Sequence, residues 1–451
     1  MRLILIKNMW LLLLLAFLSC RKAITVAPPI NALTLEKVYG DSASTVAALS
    51  NLYVQFARVG GATESYFTVY TALYADDVYP VSANATYEAY YDNAVTPLNA
   101  TNAPTWRQLY FIIYSANLLM EQVRAAPALS ADLQRQVEGE ARFLRAFAYF
   151  LLVNQYGAVP LVLETDVAQT ALLPRSAVAE VYGQVVADLQ KAAVLLPQSY
   201  PLPEKVRANQ WAARALLARV SLYTGQWATA RDEAVSVIQS GLFSLPALEA
   251  AFKKGSPEAI LQFWARDGFT WASVFVPSSG APALAVTPEL YNAFDPGDAR
   301  RQQWIRTVTV GNNVYQHPYK FRNRVTTTGA AAEYGLPLRL AEQHLIAAEA
   351  YAQLGETTRA LQHLNAVRAR AGIAPLASPV SKEACLQLVM EERRRELFTE
   401  WGHRFFDLRR TGQIDAVLGA AKRNWKSHAR YFPVPQAELL NNPALTQNEG
   451  Y

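Results

Sequence analysis

The stretch LAEQHLIAAEAYAQLGETTRALQHLNAVRARA, residues 340–371, spaces its apolar and alanine positions as a helix surface does and breaks once, at Gly355. It predicts two helices joined by a tight turn. Residues 211–240 repeat the pattern, with the break at Gly225. With the two glycines aligned, Ala218 falls on Ala348 and Ala230 on Ala360. Small side chains at matching places let the helices of a hairpin approach closely, the logic of tetratricopeptide-type repeats. The full repeat signature is absent, so ordinary hairpins in a bundle stay open as the alternative.

Working outward, helical periodicity predicts a helix pair over 35–56 and helices over 106–124, 133–156 and 178–196, with Gly157 and Pro197 as stops. Residues 78–105 and 243–338 differ. They are rich in Pro, Gly, Ser and Thr and carry short β-like runs such as VTVGNNVYQ. Long irregular segments on a rigid helical body are where binding residues concentrate.

A third stretch, EERRRELFTEWGHRFFDLRRTG (391–412), holds six arginines against five acids, a net of +1. That is not the single-sign field a phosphate backbone needs. Most of the acids stand three or four residues from an arginine, which predicts an ion-pair network within the stretch. The spacing reads as a helix from Glu391 to Glu400 stopped at Gly402, with Phe405 and Phe406 packed beneath it and Asp407 paired to an arginine. Glu400-x-x-His403 resembles half of a di-iron helix motif, but the required second copy is missing.

The chain has 451 residues, half of them hydrophobic and 18% charged, with a formal charge of +5. Without Arg2 and Lys7 of the leader the charge is +3, which argues against nucleic acid as partner. The leader itself, MRLILIKNMWLLLLLAFLSCRK, has positive charges ahead of an apolar run that ends at Ser19-Cys20. This is the order of a secretory signal, and the run is about half the length that crosses a bilayer. A cysteine directly after it resembles the bacterial lipoprotein cleavage site, which predicts lipidation at Cys20. Residues 21–34, with Pro28 and Pro29, read as an extended tether. Cys385, on an amphipathic pattern, reads as a small buried hydrophobe.

These segments together resemble the SusD/RagB family of outer-membrane nutrient-uptake lipoproteins. The resemblance runs from Cys20 and APPINALT through TWRQLYFIIYSANLLME and EARFLRAFAYFLLVNQYGAVPLV. It is densest in the hairpin quoted first and in ERRRELFTEWGHRFFDLRRTG, and closes with YFPVPQAELLNNPALTQNEGY. It implies a mainly α fold of tetratricopeptide-like hairpins in a right-handed helical scaffold, decorated by long loops and a few short strands. It divides the chain into a signal peptide (1–19), a lipidated cysteine and tether (20–34), an N-terminal helical part (35–245) and a C-terminal part (246–451). The last holds a loop-rich insert at 246–338 and helices over 340–412. The resemblance also implies a lipid-anchored protein on the outer membrane, facing the cell exterior. Such a protein caps a SusC-like TonB-dependent barrel and binds a nutrient, commonly an oligosaccharide, without covalent chemistry or a cofactor. Two departures stand out. Arg21-Lys22 follow the cysteine where exported members often carry acids, and the chain is short for the family.

Sugar recognition calls for flat rings against pyranose faces, with amides, carboxylates or arginine at the hydroxyls. Seven tyrosines fall within 66–91. Tyr66, Tyr70 and Tyr74, four apart, are expected to face a core. Asp76, Asp77 and Tyr79 open the following loop, and Asn84, Tyr87, Tyr90, Tyr91 and Asn93 populate it. The ligand candidates are Asp77, Tyr79, Asn84, Tyr87, Tyr90 and Tyr91, with a second cluster of Trp264, Arg266, Trp271 and Phe275. Packing of an irregular segment is the competing account of that cluster. Trp304, Tyr315 and Tyr319 are weaker candidates. Two other functions compete: an all-helical glycosidase, which needs two carboxylates facing each other across a cleft, and a helical-repeat adaptor for a protein partner. The sequence contains no metalloprotease histidine pair, nucleophile elbow or phosphate loop, and no metal-binding cluster is apparent.

Overall fold

The computed structural model describes residues 38–57, 64–265, 271–325 and 327–451. The expected signal peptide, Cys20, the expected tether and Arg266 lie outside the described residues. The fold is mainly helical. Of the pair expected over 35–56, helix α1 (Ser42–Ala57) is the second member, Val38 and Tyr39 are helical ahead of a bend at 40–41, and residues 35–37 lie outside the described residues; then come α2 (Ala85–Tyr91), α3 (Asn102–Arg124), α4 (Ala131–Tyr156) and α5 (Val178–Leu195). The two hairpins follow as α6 (Gln210–Tyr223) with α7 (Trp227–Gln239), and α8 (Leu340–Gln353) with α9 (Thr357–Arg370). Helices α10 (Lys382–Leu397) and α11 (His403–Arg410) complete the body.

Each long helix packs on the next, α3 on α4, α4 on α5, α5 on α6, and α7 on α8, so the two hairpins are neighbours. Their turns close in the same way. Gly225 and Gly355 adopt positive φ (70° and 85°), a conformation that costs glycine nothing. The next amide then reaches back five residues, Gln226 to Ser221 and Glu356 to Tyr351, each at 2.8 Å. This is a Schellman closure. Ala218, Ala230, Ala348 and Ala360 are all fully buried, as their spacing predicts. Cys385 is buried too. Side-chain caps start the helices: Ser130 accepts from the Leu133 amide, Asn209 from Ala212 and Ser381 from Ala384.

Among the described residues, three two-stranded antiparallel ribbons decorate the body. β1 (Val78–Pro80) pairs with β3 (Leu284–Val286), β2 (Ala259–Phe263) with β6 (Gly335–Arg339), and β4 (Ile305–Val310) with β5 (Asn313–Pro318). The last is the hairpin signalled by VTVGNNVYQ.

The arginine-rich stretch departs from its local reading. Helix α10 ends at Leu397, five residues before Gly402, and Thr399, Trp401 and Gly402 all take positive φ. The early stop has a cause. Buried Lys320 donates to the carbonyls of Glu396 (2.7 Å) and Phe398 (2.9 Å), which a continuing helix would consume. Phe405 and Phe406 are buried, and Asp407 pairs with Arg393 (2.8 Å) and Arg410 (2.8 Å), as expected. Most other partners are remote, not three or four residues away. Arg410 forks onto Glu349, Arg409 donates to Asn154, and Arg394 and Arg404 meet at Asp76. Glu396 lies fully buried among Arg300, Arg339 and Arg370. The stretch is an internal ion lattice that ties the helices to the loop-rich insert.

Candidate functional site

The tyrosine-bearing segment is held at both ends. Before it, Asp76 receives Arg404 at 2.7 and 2.9 Å and Arg394 at 2.7 Å. Asp77 accepts from the Thr399 amide at 3.2 Å, and the Thr287 hydroxyl donates to the Asp76 carbonyl at 2.7 Å. After these acids β1 runs antiparallel to β3 with Tyr79 opposite Ala285, and β3 abuts β5. Helix α2 then packs on β1. Asn84 starts it as a reciprocal cap: its side chain accepts from the Tyr87 amide at 3.0 Å, and its own amide donates to Glu88 at 3.3 Å.

Behind this segment lies a solid aromatic floor. Tyr66 and Tyr74 are buried and Tyr70 half-buried, as their spacing predicts. Tyr90 joins them, with its ring 4.6 Å from Tyr70 and 6.0 Å from Phe432. Its hydroxyl lies 2.7 Å from Thr101 Oγ1 and 3.2 Å from Asn99 Oδ1. In front, Tyr79, Tyr87, Tyr91 and Tyr315 are half-exposed. Tyr87 leans on Tyr70 at 6.1 Å between ring centroids. Burial, then the charges of Tyr315 and Tyr91, push the Tyr79 hydroxyl up from its usual pKa. Burial, then Glu289 and Asp92, do the same for Tyr91. Lys422 approaches the Tyr91 ring at 3.7 Å and donates to the Leu73 carbonyl at 2.8 Å. Burial pushes its amine down to about 7 against the pull of Asp76, Asp77 and Asp92. On the same insert, Arg301 stacks on Tyr291 at 4.3 Å, and Tyr319 sits between Arg306 (5.1 Å) and Arg322 (4.9 Å).

Half-exposed phenols on a packed floor offer apolar faces and polar edges at low ordering cost. Tyr79 on β1 and Tyr315 on β5 flank β3, and Tyr87 and Tyr91 lie on α2, which packs on β1. The structure removes several sequence candidates from the surface. Asp77 is 1% exposed, spends itself on Thr399 and is pushed up to about 6, first by burial and then by the Asp76 charge. Tyr90 is wholly buried because its hydroxyl finds partners inside. Trp271 and Phe275 are also interior; Trp271 packs 5.6 Å from Phe275 and 4.7 Å from Phe321, so packing accounts for them. Trp304 is buried and donates to the Leu248 carbonyl. Asn93 is buried with its amide on the Tyr74 carbonyl. The exposed Asn84 is committed to its cap. Trp264 remains outside at 43% exposure, and no ring contact among the described residues joins it to the tyrosines. Glu289 was not singled out in the sequence; it comes near Tyr91 because the chain leaving β3 starts its helix beside β1.

Among the described residues no group of three or more His, Cys, Asp or Glu is placed to hold a metal ion, and no helix is long and apolar enough to cross a membrane.

Two family models match the chain. One, described as starch-binding and associating with the outer membrane, covers residues 33–222, and the SusD family model covers residues 301–451. Two SusD-like proteins of Formosa agariphila are each 25% identical, aligned over 83% and 80% of this chain and 84% and 82% of their own lengths. Among solved structures, a SusD superfamily protein from Bacteroides vulgatus superposes with a TM-score of 0.82 at 21% identity, covering 92% of this chain and 100% of that one. A SusD homolog from Bacteroides thetaiotaomicron gives 0.79 at 20% identity, over 92% and 98%. These superpositions show a shared fold.

Proposed function

Because the chain belongs to the SusD/RagB family, we propose that it captures a glycan at the outer membrane and hands it to a SusC-like TonB-dependent barrel without altering it. The observation that carries this reading is the group of half-exposed rings, Tyr79, Tyr87, Tyr91 and Tyr315, backed by the buried Tyr66, Tyr74, Tyr90 and Phe432. A pyranose has a CH-rich face that suits such rings and hydroxyls that suit the phenol edges, Glu289 and the arginines beside Tyr291 and Tyr319. The family model described as starch-binding supports the choice of ligand class. The matching leader supports lipid anchoring at Cys20, which would tether the body to the membrane face.

The test is calorimetry against a panel of oligosaccharides, repeated with Tyr79→Ala, Tyr87→Ala, Tyr91→Ala and Trp264→Ala. Saturable binding is expected, weakened roughly tenfold by each of the three tyrosine changes. Binding untouched by all three would place the ligand elsewhere, and release of shortened glycans would replace capture with hydrolysis. Co-purification of a large β-barrel tests the partner, and loss of palmitate labelling in Cys20→Ala tests the anchor.

A further inference from the structure

The loop-rich insert spends its charges unevenly. Arg300 and, just beyond the insert, Arg339 and Arg370 each hold at least two buried carboxylates. Arg301, Arg306, Arg322 and Arg324 are ion-paired to none among the described residues. Their partners are the Tyr291 ring, the Tyr319 ring and hydroxyl, and the carbonyls of Gln303, Tyr319 and Val276. Glu333 acts on both Arg322 and Lys253, so two cations face one carboxylate. Its oxygens already accept the backbone amides of Arg322 (3.0 and 2.8 Å) and Asn323 (2.9 Å).

The β4–β5 ribbon sets one of these arginines beside a ring of the tyrosine group. Along its outer half Thr307, Thr309 and Val314 are exposed, while Val308, Val310 and Tyr315 are half-buried. Tyr315 stands opposite Val308, and Arg306 opposite the buried His317, so these four share the face turned toward the body. That face belongs to the ribbon whose strand β5 abuts β3, the partner of the Tyr79 strand. Arg306 alone of the four is exposed. It lies diagonally across from Tyr315, about 7 Å away between β-carbons. Its Nη1 donates to the Tyr319 hydroxyl at 3.0 Å, which steadies the fork, and its Nε and Nη2 have no partner among the described residues. At the α2 end the sign reverses, where Glu289 and Asp92 act on Tyr91. The tyrosine surface is thus acidic at one end and basic at the other.

We propose that the glycan taken at this surface is anionic, and that Arg306, backed by Arg322, binds a carboxylate or sulfate ester carried by the sugar that rests on Tyr315. The inference rests on the glycan reading and narrows its ligand class. A guanidinium offers two parallel N–H groups that match either anion, and such charge-assisted bonds are roughly twice as strong as neutral ones. Arg306 gives up no ion pair to make them. A neutral sugar would draw only hydroxyl contacts from the same fork.

The test is isothermal titration of the full chain with two matched pairs. One is a galacturonic acid tetramer as the free acid and as its methyl ester; the other is a sulfated galactan tetramer and its desulfated form. At least one charged member is expected to bind saturably, about tenfold or more tightly than its neutral partner, and the pair that shows this tells carboxylate from sulfate. Added salt should weaken the charged member and leave the neutral one unchanged. Arg306→Gln should abolish the preference while the melting temperature holds, since the side chain is exposed, and Arg306→Lys should recover part of it. Tyr79→Ala should weaken charged and neutral members alike. Equal binding within both pairs, or a preference for the neutral members, would overturn the inference and leave glycan capture standing. So would a charge preference that ignores Arg306→Gln or binding of the charged member that ignores Tyr79→Ala. Failure of every oligosaccharide, these and the neutral panel, would overturn both readings.

Discussion

Asp76, two residues ahead of the tyrosine strand, receives Arg404 in a two-pronged contact at 2.7 and 2.9 Å across 328 positions of chain. With Arg394 on the same carboxylate, this acid fastens the loop that carries Tyr79 to the arginine-rich stretch. Removing it leaves two largely buried guanidiniums without their counter-ion.

Asp76→Asn is therefore expected to destabilise by about 3–5 kcal/mol, the cost of breaking a buried pair from one side. Arg404→Gln should lose a similar amount. The double variant should lose less than the sum, because the second change removes a charge the first has stranded. Urea unfolding of the four proteins checks this, and strict additivity would show that the pair contributes little.

Acid should unfold the protein partly through Glu396. Burial alone would raise its carboxyl, but Arg370, Arg339 and Arg300 outweigh burial and hold it well below the usual carboxylate range. An unfolded glutamate titrates near ~4.3. The ionised form is thus favoured in the folded state, and its contribution is complete above that value and lost as pH falls through and below it. The advantage of wild type over Glu396→Gln in urea midpoint should be large at pH 7 and shrink steadily below about pH 5. A constant gap down to pH 3 would contradict the assignment.

Tyr90 and Tyr87 should separate floor from surface. Tyr90→Phe keeps the ring among Tyr66, Tyr70 and Phe432 but removes the hydroxyl's hydrogen bonds to Thr101 and Asn99, which keep each other as partners, so a loss of about 1 kcal/mol is expected with glycan affinity intact. Tyr87→Ala should do the reverse, with weaker binding and a smaller change in melting temperature. A Tyr90→Phe protein that folds normally yet fails to bind would make Tyr90 a contact residue after all.

The close-packed hairpins give a steric prediction. Ala348 and Ala218 are wholly buried in one cluster with Leu222, Ala230 and Leu345. Ala348→Leu forces added carbons into filled space and should cost about 1–3 kcal/mol, whereas Ala348→Gly should cost roughly 1 kcal/mol through helix propensity. Thermal unfolding separates the two, and a neutral Ala348→Leu would mean the hairpins have room between them.

Much of this was legible before the fold was known. The helix breaks at Gly225 and Gly355, the buried alanines, the core-facing Tyr66 and Tyr74 and the β4–β5 hairpin all follow from spacing within a few residues. The candidate site was only partly legible. Tyr79, Tyr87 and Tyr91 remain at the surface, but Asp77, Tyr90, Trp271 and Phe275 do not. Nothing local distinguishes Tyr90 from Tyr91. One finds Thr101 and Asn99 inside, and the other faces out beside Lys422. The arginines misled in a similar way, since acids three or four residues off offered convenient partners while the real ones came from Asp76, Glu349 and Asn154.

What the chain's order of residues determined unaided is the helical hairpin body and the family, because a helix returns to the same face every 3.6 residues and so writes its burial into neighbouring positions. Which rings stay wet and how α10 ends were decided by tertiary structure alone. In irregular segments a side chain's exposure depends on whatever distant piece of chain comes to cover it, and no nearby residue carries that information.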